Sequence, residues 1–396
     1  SYYGRLNQDQ LKARVEEHVR ILEQDDDATP EYWFVRADLS GQDNDPLASL
    51  EYAERALRLR PNFSDAWGAK VSALYKLARP GEYVAAIEQW LEVDPLSRPA
   101  RINGADVFWA SQPARARELI DSLMVDEPAA GYFLRSSRNR GTAIGLREAL
   151  LFYEAMPDSN LPAGEIILHL AWYRLDDEGR RFFSDESMRP FYLHHSNRFT
   201  QAEPLVEDIF ARDPDGSPHE AYLLLFERIA QGRYQEAAPL VARLTMQTPE
   251  GPIVSVSGGG GPSLTAVAVV VLRETGQVEL AEQMATTARR YLEQLEKLGM
   301  IRHYDYLYWA LLEVAMNRPQ SAIAKLDRMV EAGWADYRDF DLAPFADVQG
   351  DPAFEAVRAR GRALHDRNRE EILTLICEKN PIPETWQPLE STCAGR

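Results

Sequence analysis

Apolar residues recur along this chain at helical spacing, in short runs separated by polar or proline-bearing breaks. Leu50, Ala53 and Leu57 fall at i, i+3 and i+7 within LASLEYAERALRLRP, the signature of one buried helix face. A first helix opens at Tyr32–Trp33–Phe34 and yields to a polar break at Ser40–Pro46. The second helix stops at Pro61, which lacks the amide donor and clashes with the preceding turn. Asn62, Ser64 and Asp65 then offer N-cap chemistry for the next helix. The plan repeats as DAWGAKVSALYKLA, a turn at Pro80–Gly81–Glu82, and YVAAIEQWLEVDP closing at Pro95. Trp33 and Trp67 stand 34 residues apart, and so do Pro61 and Pro95. Two unrelated residue types sharing one period predict tandem helical hairpins.

The frame returns downstream. RFTQAEPLVEDIFARDP places Phe199, Ala202, Val206 and Pro214, and each has a counterpart 35 residues later in Tyr234, Ala237, Val241 and Pro249. Val278, Ala281 and Ala285 continue the frame, as do Ala322, Leu326 and Met329. A small residue suits the point where two helices cross, because alanine lets the backbones approach. Period and pattern together resemble the tetratricopeptide repeat (TPR), a helix–turn–helix unit of 34 residues. The resemblance implies an all-α, right-handed solenoid of roughly eight to ten hairpins over 31–335. An N-terminal helix over 1–30 would precede it, and a C-terminal capping helix with a Pro-rich tail over 336–396 would close it. The frame is weakest over 97–190, where ARARELIDSLMVDEP ends at Pro128 and GLREALLFYEAMP and EIILHLAWYRL read as helices. The glycine-rich stretch 257–262 (SGGGGP) reads as a long loop or hinge. Residues 326–357, with Glu331–Ala–Gly–Trp334 and Gly350–Asp–Pro–Ala–Phe354, resemble the closing segment of bacterial TPR proteins joined to membrane-linked transcriptional regulators or cyclases. There Asp351 caps a helix with Pro352 at its first position.

Composition narrows the partners. The chain has 396 residues, more than one core usually organises, but repeats need pack only on their neighbours. A net charge of −18 disfavours nucleic acid and anionic lipid, so neither is expected to bind this region. The longest apolar run, LTAVAVVVL at 264–272, is far shorter than the about 20 residues that span a bilayer. It reads instead as a buried first helix of a hairpin. Because the sequence begins at Ser1 rather than Met, a processed or partial chain is expected, with any effector domain or anchor upstream. Arg135, Arg138 and Arg140 form a local basic exception, either a solvated loop or a site for an acidic peptide or phosphate. Cys377 and Cys393 leave two readings open. A disulfide would staple the tail, closing a loop of about 17 residues worth ~3 kcal/mol and suiting a periplasmic setting. Two free thiols would suit a cytoplasmic one.

Chemistry leaves little trace. His194 and His195 are adjacent, so on a helix their side chains diverge by about 100° and do not readily share a metal. No nucleophile elbow, Walker loop or dinucleotide fingerprint occurs, and no cofactor, metal or catalytic residue is expected. In the family, first helices line the concave surface. The resemblance therefore implies groove positions for a partner protein or peptide at Asp65, Ser72, Tyr75, His194, His219, Tyr222, Phe226, Tyr304 and Leu307. Trp33 and Trp67 take the packing position. The expected function is a non-catalytic interaction scaffold serving a regulatory or sensory module. One alternative is a small-ligand sensor with its ligand between repeats. The other is an enzyme on helical scaffolding, which would need titratable groups of shifted pKa gathered in one cleft.

Overall fold

The computed structural model describes residues 29–156, 160–181, 188–212, 218–254, 261–334, 336–378 and 388–394. The expected helix over 1–30 lies almost wholly outside these residues, as do positions 257–260 of the glycine-rich stretch. The described chain is all-α apart from one two-stranded hairpin, an α-solenoid of antiparallel helix pairs. It divides into two compact units, Ser1–Leu119 and Ile120–Arg396.

The first unit is the regular one. Its helices are α1 (Pro30–Gln42), α2 (Pro46–Leu59), α3 (Ser64–Lys76), α4 (Pro80–Val93) and α5 (Arg98–Ser111), and α6 (Pro113–Asp126) begins within it. The recurring prolines start helices as well as end them. α1, α2, α4 and α5 each carry one in the first two positions, where a missing amide donor costs nothing. Pro80 is therefore the first residue of α4 and not a turn residue. The turn before it is made by Ala78 at φ +58°. The expected cap at Ser64 is also displaced, since Phe63 holds the N-cap position without a side-chain hydrogen bond. Ser64 Oγ instead accepts from Trp90 Nε1 at 2.8 Å and donates to Ser97 Oγ at 3.1 Å, which ties consecutive hairpins together. Trp90, 2% exposed, packs against α3. The space comes from Gly68, whose absent Cβ would lie 3.3 Å from the indole. Leu74 and Ile87 are also fully buried, each contributing about 1.5–3 kcal/mol by leaving water.

The second unit contains α7 (Pro128–Arg138), α8 (Ala143–Ala155), α9 (Asn160–Trp172), α10 (Asp176–Arg180), α11 (Met188–His195), α12 (Phe199–Arg212), α13 (Pro218–Ala230) and α14 (Tyr234–Leu244). After the strands come α15 (Gly261–Glu274), α16 (Val278–Lys297), α17 (His303–Ala315) and α18 (Pro319–Glu331). The run 264–272 is indeed the buried centre of α15, every apolar residue of it 4% exposed or less. Sequence periodicity carries α14 on to Pro249, but the helix stops at Leu244. Residues Thr245–Thr248 (β1) and Gly251–Val254 (β2) then pair antiparallel, Thr245 opposite Val254. Gly251 at φ +122° makes the reversal, and Ile253 and Val254 face the core.

The C-terminal region does more than close an end. Two 3-10 segments, Tyr337–Asp341 and Ala343–Val348, drive Phe340 and Phe345 into full burial. Asp351 caps α19 (Pro352–Cys377) by accepting from Ala353 N at 2.8 Å, with Pro352 in the first turn as expected. Yet Ile372 and Ile376 of α19 pack into one cluster with Leu146, Ala149, Ile166 and Leu170 of α8 and α9. The second unit thus folds back on itself. Cys377 and Cys393 are joined in a disulfide, and α20 (Glu390–Cys393) lies against α19. No helix among the described residues is long and apolar enough to cross a membrane.

Candidate functional site

In the first unit, three expected groove positions share one face of α3. Asp65 and Ser72 are exposed, and Tyr75 is half-buried with its ring 5.8 Å from that of Tyr83. The period extends the face to other first helices: Asp38, Ser72 and Asp106 stand 34 residues apart, and none is buried. Lys76 turns away from this face in function, its ammonium donating to Gly41 O at 2.8 Å.

In the second unit the first helices bring most of the remaining candidates together. The His194 ring lies 5.7 Å from Phe226 and from Phe199. Tyr222 is 6.3 Å from Phe226, and its hydroxyl meets that of Tyr308 at 3.0 Å. Tyr308 lies 6.2 Å from Tyr304 across one turn of α17. That turn is fixed by a capping box in which Arg302 N donates to Asp305 Oδ2 at 2.8 Å. The cap directs His303 onto Trp334, stacked at 4.8 Å, and Trp334 meets Trp172 edge-on at 4.7 Å. Trp334 Nε1 donates to Asp339 Oδ2 at 2.6 Å, and Asn197 Nδ2 donates to its other oxygen at 3.3 Å. Contacts thus run from α9 through the C-terminal loop to α17, α13 and α11.

Some candidates are placed differently from their expected role. Leu307 is 4% exposed and belongs to the main apolar core, not to a groove. Phe226 and His194 are buried as well. His194 Nδ1 is 3.0 Å from Glu227 Oε1, inside the protein. His219 lies in the first turn of α13, with its side chain outside the described residues. The basic cluster is not a solvated loop: Arg135 and Arg138 form the last turn of α7. Arg135 pairs with Asp121 at 3.1 Å, and Arg140 grips the buried Glu165 with two nitrogens, at 2.6 and 3.3 Å.

Burial sets the protonation of this region. It lowers His303 to about 3, with Arg140, Arg302 and Arg138 adding to the effect. It lowers His169 to about 3 as well, assisted by Arg140. Gly141 N donates to His169 Nδ1 at 3.3 Å, so Nε2 carries the hydrogen toward Ser136 Oγ at 3.2 Å. Burial raises Glu227 and Asp305, and raises Tyr222 to about 12. Asp339 rises to about 7, by burial first and by the neighbouring Asp336 second. The result is an interior in which His169 and His303 are neutral and Asp339 is biased toward the protonated form. Such groups exchange hydrogen bonds and stack. Ser136 and His169, a serine–histidine contact, are both fully buried, out of reach of a substrate.

The sequence reading misses His303, Tyr308, Trp334, Asn197 and Asp339. Tyr308 follows Tyr304 by one helical turn and could have been found by extending that face. The others arrive through closure over long separations, 142 residues for Asn197 and Asp339. Among the described residues no three His, Cys, Asp or Glu side chains gather as a metal would require. Neither the models of known families nor the curated proteins compared with the chain show a match to it.

Proposed function

We propose that this protein is a non-catalytic interaction scaffold of the TPR kind, which holds a segment of a partner protein against the first helices of its first unit. The observation that carries this reading is the exposure of Asp65 and Ser72 beside the half-buried Tyr75 on one face of α3. Carboxylates next to aromatic rings suit a segment with basic side chains, through ion pairing and cation–π contact. The burial of Ser136 and His169 argues against hydrolytic chemistry at that pair.

The test is a pull-down from lysate and envelope fractions with two baits, the native chain and an Asp65→Lys/Tyr75→Ala variant of matched helicity. Proteins held at stoichiometric levels by the first and lost from the second support the reading. Equal retention by both removes it. A second reading, small-ligand sensing, is favoured by the half-buried Tyr222, His303, Tyr304 and Tyr308 in the second unit. It predicts thermal stabilisation by a small molecule without any peptide, lost in Tyr308→Ala.

A further inference from the structure

The tail beyond α19 is held in two ways. Cys393 is bonded to Cys377, the last residue of α19. At the residue just before α20, the chain also reaches across to α10: Leu389 N donates to Glu178 Oε1 at 2.6 Å, over a separation of 211 residues. Glu178 is fully buried, and its other oxygen accepts from Arg181 Nη1 at 2.9 Å. A buried carboxylate needs such donors, because an unpaired charge in the interior is costly. Both cysteines also pack against the apolar cluster formed by α8, α9 and α19.

The covalent bond and the hydrogen bond act in series. The disulfide holds residues 388–394 to α19, and Leu389 holds the same residues to α10. We propose that this tail is a redox-controlled strap: with the disulfide formed it secures α10 against the returning C-terminal helix, and with the disulfide reduced it leaves α10. Reduction by a dithiol converts Cys377–Cys393 to two thiols while the dithiol becomes a disulfide, so two electrons and two protons pass to the tail cysteines. The strap then loses its anchor, Glu178 loses the Leu389 donor, and the carboxylate turns to water. The part of the α8, α9 and α19 cluster that Cys393 packs against becomes accessible with it.

Backbone hydrogen exchange of the full chain across Asp176–Arg180 tests this, with and without a dithiol. Exchange there is expected to quicken at least about tenfold on reduction and equally in Cys393→Ser, while α3 and α4 stay unchanged. Leu389→Pro separates the strap from the bond itself. Leu389 already sits at φ −70°, so proline fits the backbone and removes the N–H, while Leu389→Ala, which keeps the N–H, controls for the lost side chain. The proline variant keeps its disulfide and should match the reduced protein at α10. Unchanged exchange at α10 in reduced protein or in Cys393→Ser overturns the proposal. So does a Leu389→Pro protein that exchanges like the oxidised native chain, or two titratable thiols in protein isolated without reductant.

Discussion

The two units use the same element, an antiparallel helix pair, under different constraints. In Ser1–Leu119 the partners of almost every described contact are close in sequence, a helix or a repeat away. Ser64 meets Ser97 33 residues on, and Trp90 meets Ser64 26 residues back. In Ile120–Arg396 the structure depends on pairs that are remote: Tyr222 with Tyr308, Asn197 with Asp339, Trp172 with His365. The first unit can keep its period because each hairpin needs only its neighbour. The second has closed on its own C-terminal segment, and the inner positions that a repeat would leave for a partner are taken up by the chain. The proposed guest site lies in the regular unit, whereas the irregular unit binds its own chain.

The strongest challenge to this contrast is Trp90→Ala. Removing a 2% exposed indole should cost about 3–5 kcal/mol in denaturant unfolding, with the loss confined to segments of the first unit in hydrogen exchange. Global loss would mean that the units do not unfold separately. A glycine pair comes next. A Cβ at Gly145 would lie 2.1 Å from the Asn139 carbonyl oxygen, which is backbone, and 2.5 Å from the His169 ring. Gly145→Ala should therefore cost about 1–3 kcal/mol or more, whereas Gly68→Ala meets only the Trp90 ring edge at 3.3 Å and should cost less than about 1. Equal costs would show that both units pack with the same tolerance.

Acidity should separate the units further. His169 and His303 fold with pKa values near 3, below the usual histidine value of about 6.5. The folded state then binds fewer protons than the unfolded one, so their contribution is complete above about pH 6.5 and is lost as pH falls toward 3. Asp339, raised to about 7, works in the opposite sense: its neutral form favours folding at low pH, and that advantage fades as pH rises from about 4 to 7. Stability of the second unit should fall on both sides, and Asp339→Asn should flatten the upper side alone. The first unit has no histidine between residues 29 and 119 and should show neither histidine effect. Unfolding curves taken from pH 4 to 8 would reveal this. Smaller still is Ser64→Ala, at about 1 kcal/mol, for the hydrogen bond lost to the Trp90 indole. Arg135→Ala, which breaks only a solvent-facing pair with Asp121, should fall within about 0.5 kcal/mol.

The fold was readable where local rules suffice. The Leu50, Ala53 and Leu57 spacing found α2, the apolar run found α15, and Asp351–Pro352 found the start of α19. Local signals misled where one residue type serves two ends. Proline both stops and starts helices, so Pro80 looked like a turn. The hairpin after α14 was hidden because Thr245–Thr248 continues a helical pattern and turns extended only when Gly251 reverses the chain onto it. The candidate site was half readable. The family resemblance put Tyr75, Tyr222 and Tyr304 on first helices, where each is half-buried. Spacing cannot report that Leu307 turns into the core, or that Trp334 and Asp339 arrive from the far end of the unit, since neither event has a local signature.

Arg338 extends the contrast into the order of synthesis. Its guanidinium donates to Trp172 O at 2.7 Å and to Ser196 O at 3.0 Å, carbonyls at the ends of α9 and α11, while Asp336 holds it at 2.7 and 2.8 Å. Those helices leave the ribosome more than a hundred residues before the group that completes them. The first unit can mature as it emerges, hairpin by hairpin, whereas the second must wait for nearly its last residues. A chain released before residue 338 would carry a finished first unit and an open second one, and that open form is the one a chaperone or a protease would meet.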